Sequence, residues 1–219
     1  MKIVLISKRN KWTDRLLKLL EESDLKVTYY DDSTDINSLD IEEGVDWVFF
    51  FHWSNIVPSS FYTKHKCVVI HTGTLPQDRG GSPLQNQILK GRKVTNVNAL
   101  IMQDPVDSGK VYCKEQITLQ GNLHDIWLNI AEVSFKLIKK CVTLNPIPWP
   151  QEGEGHTYKR KVNNKLIVND LESIYDQIRM LDAEDYPSTY LEVDGYRFEF
   201  SRAKTNGDHI IADVKIYKE

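Results

Sequence analysis

Residues 67–85 read CVVIHTGTLPQDRGGSPLQ. Cys67–His71 is a short, β-branched apolar run without alternation, the texture of a strand buried on both faces. It gives way to a polar loop, Thr72–Gly81, with glycines at 73, 80 and 81. Ser82 then stands where a helix cap is expected, with Pro83 at the first helical position. The helix predicted from Pro83 runs to about Lys90. Strand, polar loop and helix in that order form half of a β-α-β unit. Open sheets of such units hold their ligands at the carboxyl ends of the strands.

The same alternation continues outward. Upstream lie predicted strands at Lys2–Ser7, Leu25–Tyr30 and Val45–His52, and a helix at Trp12–Glu22 with Leu16, Leu17, Leu19 and Leu20 on one stripe. Downstream, strands are predicted at Asn96–Met102 and, after the turn Pro105–Gly109, at Lys110–Leu119, followed by a long amphipathic helix at Leu123–Leu144. This pattern predicts an α/β fold, an open, mostly parallel, Rossmann-like sheet with helices on both faces. Residues 1–160 make one domain, of which 145–160 is a Pro- and Gly-rich connector expected to bury Ile147 and Trp149. Residues 161–219 have a different texture. They show a short helix at Leu171–Leu181 and alternating strands at Thr189–Val193, Tyr196–Ala203 and Ile210–Tyr217, separated by the turns Asp194-Gly195 and Asn206-Gly207. They predict a small C-terminal α+β appendage.

Composition narrows the class. Of 219 residues, 41% are hydrophobic and 27% charged, enough to close a core without disulfides or metal. No apolar run approaches the roughly 18 residues of a membrane span. Met1–Ser7 is too short, and too soon followed by Lys8, Arg9 and Lys11, to read as a signal peptide, so a cytoplasmic protein is expected. Residues 1–160 carry 20 basic and 19 acidic side chains, whereas 161–219 carry 8 and 12. Neither part has the basic excess that a nucleic-acid backbone requires, which argues against DNA or tRNA. Cys67, Cys113 and Cys141 lack zinc spacing and read as reduced packing residues, and no metal is expected.

Three segments fall where loop chemistry is expected: His52-Trp53-Ser54, His71 to Pro83, and Gln103 to Gly109. If their strands are neighbours, His71 and Asp107 can meet. A histidine held by a carboxylate is a common general-base arrangement, because the carboxylate fixes the tautomer and stabilises the protonated ring. The plainer alternative is that His71 ends a strand and Asp107 opens a turn before Gly109.

His71-x-x-x-Leu75-Pro76-x-x-Arg79-Gly80, then Ser82-Pro83-Leu84-Gln85, then Asp107-Ser108-Gly109, resembles the folate-dependent formyltransferases over roughly residues 1–145. The resemblance implies a Rossmann-like formyltransferase sheet and formyl transfer from 10-formyltetrahydrofolate to a primary amine without a metal. His71 would stabilise a tetrahedral oxyanion, with Asp107 orienting it or relaying the amine's proton. Gly73, Thr74, Leu75 and Pro76 match the stretch that contacts folate in the family, and the pterin would lie beside Asp104. One position departs from the family. Its usual Asn-x-His motif has Val69 here, which donates no hydrogen bond. Loss of one such donor costs about 10²–10³ in rate. His52, Ser54 and Asn98 are the candidate substitutes, with His52 the first choice.

Trp53 would stack on a pterin or nucleobase, or else close the core. Arg79 would bind a phosphate or carboxylate, or else fix its own loop through Asp78 or Asp104. Gln85, with Asn86, would face the acceptor. Lys159, Arg160 and Lys161 form a tight basic cluster suited to a diphosphate or simply to solvent. Among formyltransferases the chain looks most like proteins tied to bacterial surface polysaccharide, which implies a nucleotide-linked amino sugar as acceptor. Two other readings remain open: a hydrolase of formyltetrahydrofolate, and a non-catalytic protein that binds folate or nucleotide sugar. The aromatic tail would serve either as a homodimer surface or as a private core.

Overall fold

The computed structural model describes residues 1–160 and 163–218. Its first part comprises β1 (Lys2–Ser7), α1 (Lys11–Glu21), β2 (Lys26–Tyr30), β3 (Trp47–Phe51), the single turn α2 (Ser59–Tyr62), β4 (Cys67–Thr72), the two-residue β5 (Arg79–Gly80), α3 (Pro83–Leu89), β6 (Val94–Ile101), β7 (Val111–Thr118) and α4 (Leu123–Leu144). There follow β8 (Thr157–Tyr158), α5 (Leu171–Arg179), β9 (Thr189–Val193), β10 (Tyr196–Thr205) and β11 (Ile210–Lys218).

Six strands form the central sheet in the order β2-β1-β3-β4-β6-β7. The first four are parallel. β6 and β7 are antiparallel additions at one side. The sheet is thus largely parallel, as the alternation of strands and helices predicts. The direction of β6 corrects one expectation. Ile101 lies opposite Val68, so the loop after β6 is rooted at the amino end of β4 rather than among the loops at its carboxyl end.

Both faces of the parallel strands are buried, which is why those strands read as unbroken apolar runs. On one face Ile3, Leu5, Phe49, Phe51, Val68 and Ile70 pack with Trp12, Leu16 and Leu20 of α1, Leu84 and Ile88 of α3, and the inner stripe of α4. Asn10 caps α1 by accepting a hydrogen bond from Thr13 N at 2.9 Å. Burying each large apolar side chain contributes about 1.5–3 kcal/mol. The other face, with Val4, Ile6, Val48 and Phe50, has among the described residues only the turn of α2 as helical cover, through Phe61. Ile36 and Ile41, from the polar segment after β2, complete that cover.

The connector is held by its backbone, not by the side chains expected to bury. Ile147 is 89% exposed and Trp149 41%, while Trp149 N and O pair with Val111 at 3.0 and 2.9 Å. Ser82 occupies the cap position of α3 in a left-handed conformation, φ 52°, rather than the extended one of a capping serine. After α5, Met180 and Leu181 join the first core. The buried Arg179 donates to Leu119 O at 2.6 Å and Gly121 O at 2.8 Å. The C-terminal segment therefore shares a core with the larger sheet and adds a three-stranded antiparallel sheet, β11-β10-β9. Among the described residues no helix is long and apolar enough to cross a membrane.

Candidate active site

Strand alternation turns Val68 and Ile70 toward α1 and α4 and aims Val69 and His71 the other way. His71 ends β4 with a side chain 7% exposed. Its Nε2 lies 2.6 Å from the carbonyl oxygen of Asp78. A carbonyl only accepts, so Nε2 carries a hydrogen. Its Nδ1 lies 3.3 Å from Asp107 Oδ2, on a side chain 8% exposed. The expected meeting of His71 and Asp107 is present. With an acceptor at each nitrogen, the protonated ring can donate to both.

Because β6 is antiparallel, Asp107 reaches His71 only by folding back over the sheet. Gly109 makes this possible. A Cβ there would stand 1.8 Å from the Ile101 carbonyl oxygen, so no side chain fits. Asp107 itself adopts φ 57°, a left-handed conformation that aspartate tolerates better than most residues. Its Oδ2 also accepts Gly80 N at 2.9 Å, tying this loop to the one after β4.

Two residues that build this site, Gln151 and Tyr158, were not singled out from the sequence, and Asp78 was named only as a partner for Arg79, whereas it pairs with Arg92. Gln151, in the connector, donates from Nε2 to Asp107 O and Gly109 O, both at 2.8 Å. Its Oε1 accepts Nε and an Nη of Arg79 at 3.0 and 2.7 Å. Asp78 is fully buried. Its carboxylate takes Thr74 N at 2.8 Å, Arg92 at 2.5 Å and the Tyr158 hydroxyl at 3.0 Å. Tyr158 comes from β8, which pairs with β5. A lone glutamine or tyrosine in a connector carries no periodic signal. The only hint of Asp78 in the sequence is its place between Pro76 and Arg79.

Asp107 opens onto a cavity of about 100 Å³ floored by Val69, Leu100 and Met102 and flanked by Phe50, Trp53 and Asp104. Ligand pockets for drug-sized molecules run to about 300–1,000 Å³, so this one suits a single ring system. Trp53 packs edge-on to Phe50 at 6.0 Å between centroids. Its indole Nε1–H is buried and finds no acceptor among the described residues. The Tyr62 hydroxyl donates to Asp104 at 2.8 Å, and that bond raises the phenol's pKa above its ordinary value.

Of the residues expected to contact folate, Trp53 and Asp104 line this cavity, while Gly73, Thr74, Leu75 and Pro76 are not among its lining. They form the turn that returns the chain to Asp78. Gly73 has no Cβ because one would stand 2.6 Å from that of Asp78. Asn98 is buried opposite His71. It donates to His71 O at 3.2 Å and Gly73 O at 2.8 Å, so it holds the strand end.

His52 does not stand beside His71. A φ of 45° turns it out of the strand. Its Nδ1 meets Asn10 at 3.1 Å and its Nε2 the Tyr186 hydroxyl at 3.3 Å, and its ring packs on Trp127. Burial, reinforced by the positive charge of Lys8, lowers its pKa to about 4. It is a neutral packing histidine, and the expected oxyanion role is corrected. Arg79 is spent on Gln151 rather than facing solvent. Gln85 is buried and donates to Met180 O at 3.3 Å, docking the C-terminal segment. Asn86 donates to Ser82 O at 2.9 Å, within its own helix start. Lys159 and Arg160 are exposed. The Arg160 backbone packs against Gly81, beside the amide that binds Asp107. Lys161 lies outside the described residues. Cys67, Cys113 and Cys141 are buried and free. A second, more open cleft of about 330 Å³, lined by Lys11, His124, Glu184 and Arg202, contains neither His71 nor Asp107. Among the described residues no group of histidine, cysteine and carboxylate side chains is placed to hold a metal.

Comparison with known proteins fits this arrangement. A family model described as Formyl transferase matches residues 3–125. A second, described as Methionyl-tRNA formyltransferase, C-terminal domain, matches 161–217. The methionyl-tRNA formyltransferase of Rickettsia bellii is 34% identical over 140 residues, 59% of this chain and 43% of that protein, so this chain spans under half the length of that relative. A solved structure, methionyl-tRNA formyltransferase from Clostridium thermocellum, matches with TM-score 0.91 and 34% identity over 100% of both chains. HypX from Aquifex aeolicus, in complex with tetrahydrofolic acid, shares the fold at TM-score 0.76 and 19% identity, over 95% of this chain and 40% of that one. The motif order, the sheet and the family model over more than half of its residues agree: the chain belongs to the formyl transferase family.

Proposed function

We propose that this protein transfers a formyl group from 10-formyltetrahydrofolate to a primary amine carried by a nucleotide-linked amino sugar. The observation that carries the reading is the Asp107 carboxylate on the lining of a small apolar cavity, with His71 behind it at 3.3 Å. The folate supplies the activated formyl group. The pterin ring of the folate is placed in this cavity, beside Trp53 and Val69, where the buried, unpartnered indole N–H would donate to a ring carbonyl once the Trp53 side chain shifts. The amine nitrogen bonds to the formyl carbon as the carbon–N10 bond breaks, and Asp107, which borders the cavity, takes the amine's proton and returns it to N10 of the departing tetrahydrofolate. His71 sits behind it and stabilises the carboxylate, with its own tautomer set by Asp78 O. Gly80 N and Gln151 hold Asp107 in place, so the base needs little reorganisation during transfer. Val69 contributes no hydrogen bond, and both nitrogens of His71 are engaged by Asp78 O and Asp107, so the oxyanion donor of this reading is not supplied by either residue.

Lys159 and Arg160 are exposed, and the Arg160 backbone packs against Gly81, so these two cations suit a compact diphosphate beside the tied loops. Lys90 stands with them, its Nζ 2.5 Å from the Tyr158 hydroxyl. A second reading, methionyl-tRNA as acceptor, is favoured by the match of residues 161–217 to the C-terminal domain of that enzyme and by the likeness to methionyl-tRNA formyltransferases from Rickettsia bellii and Clostridium thermocellum. The charge of that segment opposes it: with 8 basic and 12 acidic residues in 161–219, it is a poor surface for a phosphate backbone.

The test is an acceptor screen with 10-formyltetrahydrofolate, read by mass spectrometry. A panel of nucleotide-linked amino sugars is run beside charged methionyl-tRNA. A formyl adduct on a sugar, abolished by Asp107→Asn, supports the proposal. An adduct on the tRNA alone selects the second reading. Release of formate and tetrahydrofolate with no acceptor modified makes the protein a hydrolase. No turnover with any acceptor overturns the proposal.

A further inference from the structure

Formyl transfer puts negative charge on the formyl oxygen. The amine's lone pair forms the new carbon–nitrogen bond, the π pair of the formyl carbonyl moves onto its oxygen, and the return of that pair expels N10, which takes up the proton that Asp107 removed from the amine. A donor aimed at that oxygen is worth about 10²–10³ in rate. Neither His71 nor Val69 supplies one, so it must come from elsewhere on the cavity wall.

Among the described residues, four side chains on that wall carry an N–H or O–H: Trp53, Asn55, Tyr62 and Gln103. The Trp53 indole N–H is buried and reaches a ligand only if the ring shifts. The Tyr62 hydroxyl donates to Asp104 at 2.8 Å. The Gln103 amide donates to Ser108 Oγ at 3.4 Å. Asn55 is exposed, and its carboxamide bonds to no described residue. The loop that carries it is short and fixed at both ends. Trp53 packs on Phe50 before it. Val57, 8% exposed, is buried with Phe50 and Phe61 after it. Only Ser54, Asn55 and Ile56 lie between these anchors, so the backbone of Asn55 is held at the cavity while its amide is free to turn to a ligand.

We propose that Asn55 is a further catalytic residue, whose Nδ2 donates a hydrogen bond to the formyl oxygen of the bound folate and holds the charge that develops there. The inference rests on the formyltransferase reading of this site. Asp107 and Asn55 then divide the work: the carboxylate handles the amine's proton and the carboxamide meets the oxygen. A neutral donor suits this wall. A lysine there would be captured by Asp104 and Asp107, which line the same cavity, because charge-assisted pairs are the stronger ones. An amide N–H also binds an anionic oxygen better than a neutral carbonyl, so its loss falls on the chemical step more than on binding.

The experiment has two readouts. The first needs no acceptor. A stable 10-formyl folate analogue, labelled with carbon-13 at the formyl carbon, is bound to the wild type and to Asn55→Ala, and its carbonyl stretch is read by isotope-edited infrared spectroscopy, with affinity from calorimetry. The stretch is expected at lower frequency on the wild type than on the variant. Affinity is expected to fall by less than about tenfold, the worth of one hydrogen bond to a neutral group. The second readout is the single-turnover rate of formyl transfer to the acceptor found in the screen. It is expected to fall about 10²–10³-fold in Asn55→Ala, and as far in Asn55→Asp, which keeps the shape and loses the N–H donors. Val69 floors the same cavity, so Val69→Asn in the Asn55→Ala background offers a new carboxamide to the same space. Partial recovery of the rate in that double variant supports a lost donor over a disturbed loop. An unchanged carbonyl stretch, or an unchanged single-turnover rate in Asn55→Ala, overturns the proposal and leaves the formyltransferase reading standing. An analogue that does not bind the wild type overturns both.

Discussion

Gly109→Ala isolates the device that brings Asp107 to His71. The added Cβ would stand 1.8 Å from the Ile101 carbonyl oxygen and 2.8 Å from its carbon. Ordinary carbon–oxygen contacts begin near roughly 3.3 Å, so the loop must withdraw by about 1.5 Å. Gln151 grips both Gly109 O and Asp107 O at 2.8 Å, and so carries that displacement to Asp107. The Asp107 carboxylate lies 3.3 Å from His71 Nδ1 and 2.9 Å from Gly80 N. A shift beyond about 1 Å breaks both contacts. Misplacement on that scale costs about 10²-fold in rate, or roughly 2.7 kcal/mol of barrier. The strain of relocating the loop is of order 1–3 kcal/mol, a fall in Tm of roughly 2–12 °C at about 2–4 °C per kcal/mol for a chain of this size. The assay is kcat/KM for formyl transfer, with Tm from circular dichroism on the same preparation. A variant within about twofold of wild type in kcat/KM at unchanged Tm would refute the argument. Gln151→Ala leaves Gly109 its space but cuts the tie, and a smaller loss in kcat/KM is expected.

Asp78→Ala leaves Arg92, Thr74 N and the Tyr158 hydroxyl without their shared acceptor; because Arg92 is 32% exposed and can be rehydrated, the expected cost is about 1–3 kcal/mol, to be read from urea unfolding. Stability also depends on pH through His52. Its pKa, lowered to about 4 in the fold from an ordinary value of 6.5, means the unfolded chain binds the proton first. Stability is therefore lost as pH falls from about 6.5 toward 4. Full conversion gives about 3 kcal/mol, and the partial exposure of the ring reduces this to about 2. His52→Gln should flatten that part of the urea midpoint against pH, and an unchanged slope would count against it. Trp53→Phe keeps the ring but removes the indole N–H. Affinity for a stable formyltetrahydrofolate analogue, measured by calorimetry, should fall up to about tenfold, the worth of one hydrogen bond. Unaltered affinity would mean that this donor does not serve the folate.

The strands and helices of the larger sheet are legible in the chain because burial on two faces writes an unbroken apolar run and burial on one stripe writes a helical period. KIVLIS at Lys2–Ser7 and the leucines of α1 are such signals. The pair His71 and Asp107 was legible too, as two residues bounding motifs whose order survives in one dimension. Strand direction was not. Nothing local distinguishes an antiparallel β6 from a parallel one, and the route of Asp107 over the sheet depends on it. Nor did residue type reveal how a polar side chain is spent. Arg79, Gln85 and His52 have the chemistry of a site, yet Gln151, Met180 O and the Asn10–Tyr186 pair claim them. Conversely, Asp78 and Gln151 build the site through contacts 14 to 80 residues away in the chain. Periodicity is a property of neighbours along the chain and can be read there. Which donor meets which acceptor is settled only when distant segments compete for the same buried space.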